Sequence, residues 1–295
     1  MKKIISYLSS RILKNNKIIH ILTPLQTIEY ILKSNVSVCR FGDGEFSIIK
    51  GSKGPTFQAS NNRLATRLKE ILTSDEKSIL VCIPYALLKE GRDTMRLSSQ
   101  MFWKNFSNKL PYSTYKLIYD KNFGDSLITR PYMDFVKNNK NLISAEIIFN
   151  KLKKLWFKKK ILIIEGESSK LGVGNDLFSS CESIQRIICP SKNAWNSYEK
   201  ILNLSLSLGK QFDLILIALG PTATVLAYDL GLKSLRSIDI GHLDIEYEWF
   251  NQRATEKQAI KNKHVNEIKN LNTHTITLSE QDLRKYKKEI IATIN

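Results

Sequence analysis

Two stretches of the chain, Ile161-Leu162-Ile163-Ile164 and Leu214-Ile215-Leu216-Ile217-Ala218-Leu219, are apolar without interruption. Successive side chains of a strand point to opposite faces, so a strand with one wet face alternates apolar and polar residues. A run that never alternates must be covered on both faces, as inside a parallel sheet. By this pattern, strands are expected at Val36–Phe41, Ser78–Ile83, Lys160–Glu165, Ser183–Cys189, Phe212–Leu219 and Ser234–Ile240. Helical periodicity between them predicts helices at Pro24–Lys33, Asn61–Leu72, Arg92–Asn105, Ser144–Trp156, Asn193–Leu208 and Thr222–Leu230. This alternation predicts an α/β fold, an open doubly wound, mostly parallel sheet with helices on both faces. No repeat, low-complexity tract or Pro/Gly/Ser-rich linker divides the 295 residues. A single domain over 1–295 is therefore expected, with its core at about 24–270. A basic amphipathic helix over 1–22 and a helical tail over 271–295 are expected as extensions.

Ligands of such folds bind outside the carboxyl ends of the strands. After the first predicted strand comes Arg40-Phe41-Gly42-Asp43-Gly44-Glu45-Phe46. If the segment stays extended, Asp43 and Glu45 share a side and can converge on one hard cation, Mg²⁺ or Mn²⁺. Gly42 and Gly44 lack Cβ atoms, so a phosphate or sugar can approach the backbone there. Arg40 adds a fixed positive charge. Gly-Asp-Gly is also ordinary turn chemistry.

Glu165-Gly166-Glu167 follows a second strand, and Gly172-Val173-Gly174-Asn175-Asp176 follows shortly after. The latter reads either as the opening of a helix whose N–H groups bind an anion, or as a Gly turn capped by Asn or Asp. Leu177 stands where a GxGxxG would place its third glycine, and no GxxxxGK[ST] occurs, which disfavours a P-loop nucleotidase. Gly220-Pro221-Thr222 starts another helix, with amides open to a phosphate or sugar.

His242-Leu243-Asp244-Ile245-Glu246-Tyr247-Glu248 gathers a histidine and three carboxylates. His242, Asp244, Glu246 and Glu248 share a face if extended; Asp244 and Glu248 do if helical. Either way a metal ligand lies near a general base. No GxSxG elbow is present, and no cysteine has an evident histidine partner, so serine or cysteine hydrolase chemistry is unsupported.

No apolar run reaches the roughly 18 residues of a membrane-spanning helix. Neither an h-region nor a cleavage site follows Lys2 and Lys3, so no signal peptide is expected. Cys39, Cys82, Cys181 and Cys189 show no CxxC spacing; free thiols of a cytoplasmic protein are expected. The net charge of +17 favours anionic partners. Two basic segments, 1–22 and Lys151–Lys160, mix lysines with large apolar groups. Each reads as a solvated helix face packed on the domain, or as a peripheral contact with an anionic membrane. A nucleic-acid or anionic-surface binding module and a metal-dependent phosphohydrolase remain alternatives, although no nucleic-acid signature is present.

Four segments, Arg40–Phe46, Glu165-Gly166-Glu167 with Leu171–Leu177, Gly220-Pro221-Thr222-Ala223 and Asp239–Trp249, together resemble the bacterial glycosyltransferase family of the GT-D fold. The resemblance runs in order from about Val36 to about Glu267. It implies a single Rossmann-like domain, a nucleotide-sugar donor, usually UDP-linked, and Mn²⁺ or Mg²⁺ near an Asp-x-Glu motif that Asp43 and Glu45 match. His242 is then expected beside the metal or a phosphate. Glu248, or else Glu246 or Asp244, is expected as the base. Arg40 and the amides around Gly166 and Gly174 are expected to hold diphosphate or sugar. The implied acceptor is a growing glycan on a protein or lipid carrier, with the enzyme cytoplasmic and in peripheral contact with the inner membrane face.

Overall fold

The structure, a computed structural model, describes residues 9–13, 17–260, 263 and 278–295. Its strands are β1 (Ser9–Leu13), β2 (Lys17–Ile21), β3 (Ser37–Arg40), β4 (Ile79–Ile83), β5 (Asn122–Asp125), β6 (Lys160–Gly166), β7 (Ser183–Cys189), β8 (Leu214–Ala218), β9 (Ser237–Asp239) and β10 (Ile290–Thr293). They form one sheet in the order β1-β2-β5-β4-β3-β9-β8-β6-β7-β10. From β2 to β10 every neighbouring pair is parallel; β1 folds back antiparallel on β2. Helices connect the strands: α1 (Pro24–Lys33), α2 (Asp43–Ile49), α3 (Asn62–Leu72), α4 (Lys89–Arg92), α5 (Leu97–Lys109), α6 (Tyr112–Ile118), α7 (Asn139–Leu155), α8 (Tyr198–Gly209), α9 (Pro221–Leu232), α10 (Leu243–Asn251) and α11 (Glu280–Glu289).

The uninterrupted apolar runs are covered on both faces. Leu162 and Ile164 of β6 and Ile215 and Ile217 of β8 join a core with α3, α8 and α9. Ile161 and Ile163, Leu214 and Leu216 point the other way, into a core with α1, α7 and α10. Each such buried aliphatic side chain contributes roughly 1.5–3 kcal/mol. The fold is the doubly wound α/β sheet that the run pattern requires.

The strand order divides the sheet into two sequence-contiguous halves. β2 to β5 form one, and β6 to β10 form the other. They meet between β3 and β9, where Val38 pairs with Ile238. By contrast, seven residue pairs join β6 to β7.

Four strands depart from expectation. The basic helix expected over 1–22 is instead, where described, the β1–β2 hairpin; residues 1–8 and 14–16 lie outside the described residues. Ile19 and Ile21 are buried while Ile18 and His20 are half-buried, a period of two rather than a helical stripe. Residues 271–277 of the expected helical tail also lie outside the described residues. The remainder is helical over α11 but ends as β10, parallel to β7, where Ile290, Ala292 and Thr293 pair with an otherwise open sheet edge. Short β5, with Gly124 and Asp125 among its four residues, gives no strand signal in sequence. In the Lys151–Lys160 segment, Leu152, Leu155 and Trp156 are buried, and the Trp156 indole N–H donates to Leu177 O at 2.9 Å. This segment packs on the domain. No helix of the described residues is long and apolar enough to cross a membrane.

Candidate active site

A cleft of about 680 Å³ opens across the carboxyl ends of the strands, over the β3–β9 junction. Its walls come from the carboxyl ends of β3 (Arg40 to Glu45), β5 (Ser126, Leu127), β6 (Gly166, Ser168, Ser169), β7 (Pro190, Ser191), β8 (Leu219, Gly220) and β9 (Gly241, His242, Asp244).

Arg40 ends β3 and ties three strands together. Its Nε donates to Asp239 O (2.7 Å), Nη2 to Asp239 Oδ1 (2.9 Å) and Nη1 to Ser126 O (3.1 Å). Burial pushes the Asp239 carboxyl up, and Arg40 opposes that shift. Gly241, at φ +45°, lets the guanidinium lie there: a Cβ would stand 1.9 Å from Nη2. The role expected for Arg40 is direct charge on a diphosphate; it lines the cleft, and the bonds it makes are structural.

The Asp-x-Glu segment is not extended. Asp43 is the first residue of α2, with Gly42 as its N-cap. On a helix, residues i and i+2 face different ways, so the convergence of Asp43 and Glu45 along a strand does not occur. Helix formation follows from Glu45, at the third helical position: its Oε2 accepts from the Gly42 N–H at 2.7 Å and satisfies a donor the helix leaves open. Burial pushes the Glu45 carboxyl up to about 7 despite that hydrogen bond. Asp43 is exposed, and both acids line the cleft with His242.

The His242–Glu248 run is helical from Leu243, and its acids separate. Asp244 lies on the cleft wall; Glu246 and Glu248 do not. Glu246, fully buried, accepts the Tyr132 and Met133 N–H groups at 3.1 and 2.9 Å, and burial pushes it up to about 7. Glu248 and Asp244 are bridged by the Lys263 ammonium (2.9 and 2.8 Å) and by the Asn175 amide, which donates to both (2.7 and 2.8 Å). Glu246 and Glu248 hold backbone and loops together.

The Gly172–Asp176 segment opens no helix. Lys170, Gly172 and Gly174 all have positive φ and fold residues 171–180 into successive turns. The Gly172 N–H donates to Asp244 at 2.9 Å. Gly172, Gly174, Asn175 and Glu167 do not line the cleft; Gly166 does. Gly220 lines it as well, at φ +55°, while Pro221 and Thr222 are buried beneath. The Phe57 ring covers Gly220, within 2.3 Å of where a Cβ would stand. Gln58 anchors that loop, accepting from Thr222 Oγ1 and the Trp195 N–H, both at 3.3 Å.

Other cleft residues have no signal in a strand-end reading. Arg96, Arg130 and Lys257 bring positive charge; Phe102 and Trp103 bring aromatic surface. Arg96 leads into α5, and Phe102 and Trp103 lie on it, inside the long β4–β5 connection. Lys257 follows α10. A search of the strand ends alone passes them by.

Among the described residues, no group of three His, Cys, Asp or Glu side chains could hold a metal ion. Two carboxylates at one wall still fit a cation of the Mg²⁺ type, which takes one or two protein carboxylates and completes its shell with phosphate oxygens and water. Asp43 and Glu45 both line the cleft, but as residues i and i+2 of α2 they would have to approach such an ion from different sides.

A family model described as "Glycosyltransferase GT-D fold" matches residues 38–268. A probable glycosyl transferase, Gly, of Streptococcus gordonii is 35% identical over 279 residues, 94% of this chain and 39% of that protein. Glycosyltransferase GlyD of Streptococcus pneumoniae is 36% identical over 82% of this chain and 29% of its own length. The chain thus spans well under half of these curated relatives. Among solved structures, a domain of unknown function 1792 described as having a distinct glycosyltransferase fold superimposes with a TM-score of 0.82. It shares 39% identity and covers 93% of this chain and 95% of its own. A new glycosyltransferase from Streptococcus sanguinis superimposes at 0.81 with 37% identity, over 93% of this chain and 99% of that one.

Proposed function

The chain belongs to the glycosyltransferase family of the GT-D fold, and from that premise we propose that it transfers a hexose from a UDP-sugar to a growing glycan on a protein or lipid carrier. The observation that carries this reading is the cleft itself, lined by Asp43 and Glu45 together with Arg96, Arg130 and Lys257. A diphosphate bound there meets positive charge directly, and its leaving oxygen needs charge neutralisation as the sugar C1–O bond breaks.

A divalent cation, Mn²⁺ or Mg²⁺, held by Asp43 and Glu45 near His242 would supply that neutralisation. The chain's own residues do the rest. Gly166, Ser168 and Ser191 carry little or no side chain and leave room for the nucleoside, with the Phe57 ring packed on Gly220 beside them. Arg40 keeps the ends of β3, β5 and β9 at fixed separation, so the donor meets a rigid floor. Of the three acids in the His242 run, Asp244 is on the cleft wall and is the one we retain as proton acceptor for the incoming hydroxyl. We place the reaction in the cytoplasm; any peripheral contact with anionic membrane would use exposed basic side chains and Phe157.

The test is a panel of UDP-sugars with Mn²⁺, read by release of UDP. Release should rise with acceptor and vanish in Asp43→Ala, with the thermal melt nearly unchanged, and in Glu45→Ala, whose melt should fall modestly because the Gly42 N–H loses its cap. Near-normal turnover in either variant removes the cation assignment. Cleavage of simple phosphoesters without any sugar nucleotide would instead identify a phosphohydrolase.

A further inference from the structure

Phe102 is 48% exposed although it lies at the mouth of the cleft. Its neighbours on α5 hold it in place: Trp103 meets it edge-on (5.2 Å between centroids, 84°), and Phe106 lies nearly parallel to it (6.2 Å, 15°). Trp103 and Phe106 face the core, whereas the Phe102 ring is left at the rim. Leu97 and Met101, 71% and 55% exposed, lie on the same helix outside the cleft lining. An exposed aromatic ring lining a polar cleft is a candidate ligand contact, since such sites pair aromatic surface with a few placed polar groups.

The polar surroundings narrow the occupant. Ser98 and Ser99 sit on the same helix and line the cleft, and Ser99 Oγ donates to Asp134 Oδ1 at 3.1 Å. Asp134 also lines the cleft, and its carbonyl accepts the Arg96 N–H at 3.0 Å. An aromatic face ringed by hydroxyl, carboxylate and guanidinium groups suits a pyranose. The C–H face of the sugar lies on the ring, and its hydroxyls reach the polar neighbours. Gly166, Ser168 and Ser191, at the ends of β6 and β7, are where the nucleoside is placed above.

Resting on the glycosyltransferase reading, we propose that the α5 wall is the acceptor subsite and that the acceptor sugar stacks on Phe102. Leu97 and Met101 then underlie the part of the acceptor leading away from the reacting hydroxyl. The occupant is a carbohydrate ring; a lipid chain is the competing outcome.

Saturation-transfer NMR tests this on the full chain with UDP present, using methyl β-glucoside, methyl N-acetyl-β-glucosaminide and lactose as probes. The wild type should transfer saturation to ring protons of at least one probe. Phe102→Ala should weaken that binding by about fivefold to tenfold, and Phe102→Tyr should retain it. Equal signals from Phe102→Ala and wild type overturn the proposal, as does the absence of any sugar signal in the wild type. Vesicles of anionic lipid that bind the wild type but not Leu97→Ser with Phe102→Ala would assign the wall to lipid and likewise overturn it. Calorimetry with UDP separates the two readings. A wild type that binds no UDP refutes the donor assignment, while a Phe102→Ala variant that loses UDP and sugar equally refutes the acceptor assignment.

Discussion

The heaviest electrostatic commitment outside the cleft is Arg186, and replacing it by methionine is the sharpest test of how the cleft is supported. Arg186 is 2% exposed on β7. Its Nη1 donates to Glu165 Oε1 at 2.6 Å, its Nε donates to Glu289 Oε2 of α11 at 2.7 Å, and it lies over the Tyr286 ring. Glu165 is fully buried at the end of β6, where its second oxygen accepts the Leu171 N–H at 2.8 Å. Burial pushes this carboxyl up, and Arg186 is the chief opposing influence. Methionine preserves much of the volume but leaves Glu165 without its counter-charge. Breaking one side of a buried pair costs about 3–5 kcal/mol, and the lost cation–π contact adds roughly 0.5–2 kcal/mol. The deficit has a pH signature. In the variant the folded state binds the Glu165 proton more tightly than the unfolded state does. The deficit is therefore largest at pH 8 and shrinks as pH falls toward the ordinary carboxyl value of about 4.3. Guanidinium unfolding at pH 8 and pH 5 reads both numbers. Adding Glu165→Gln to Arg186→Met should recover part of the stability at pH 8. A single-variant deficit below about 1 kcal/mol at pH 8, or a double variant no more stable than Arg186→Met, refutes the reasoning.

Other outcomes follow from the same geometry. Lys263→Met leaves Asp244 and Glu248 without their shared counter-charge, only the neutral Asn175 amide still linking them, and should lower stability by about 3 kcal/mol, read by denaturant melts. Gly220→Ala should raise the KM for nucleotide sugar severalfold, because the new methyl at φ +55° must displace Phe57; an unchanged KM means Phe57 does not roof the donor. Asp125, fully buried, is pushed up to about 7 by burial. Its folded state therefore holds a proton that the unfolded chain releases near pH 4. That contribution is present below pH 4 and lost as pH rises through about 7, worth up to about 4 kcal/mol. Asp125→Asn should flatten this part of the stability profile, and an unaltered slope between pH 4 and 7 counts against it.

What the sequence revealed, and what it hid, divides along physical lines. The helix Pro24–Lys33 was legible to the residue because Thr23 caps it and Pro24 starts it. The central strands were legible because burial on both faces removes alternation. Strands β5 and β10 were not: each has only four residues, too few to establish a period in sequence, and β5 carries Gly124 and Asp125 among them. Strand-end reasoning brought Arg40, Gly42, Asp43, Gly44, Glu45, Gly166, Gly220, His242 and Asp244 to the same cleft. It failed for Gly172, Gly174 and Asn175, where positive φ turns the backbone toward Asp244. It also misjudged the shape of the Asp-x-Glu segment, because a helix start and an extended turn share the same Gly-Asp-Gly letters. Phe102 was invisible: nothing in an isolated helical pattern says which rim residue overlooks a cleft.

The junction of β3 with β9 gives the cleft a thermodynamic role beyond holding a ligand. Either half of the sheet, β2 to β5 or β6 to β10, is a continuous stretch of chain, yet neither half alone contains the cleft. A donor bound across the junction touches both, so its binding free energy opposes their separation. At a hundredfold excess over its Kd it adds about 2.7 kcal/mol against any opening that parts them. Amide hydrogen exchange should slow in β3 and β9 together when nucleotide binds. Two fragments cleaved between β5 and β6 should reassemble more readily in its presence.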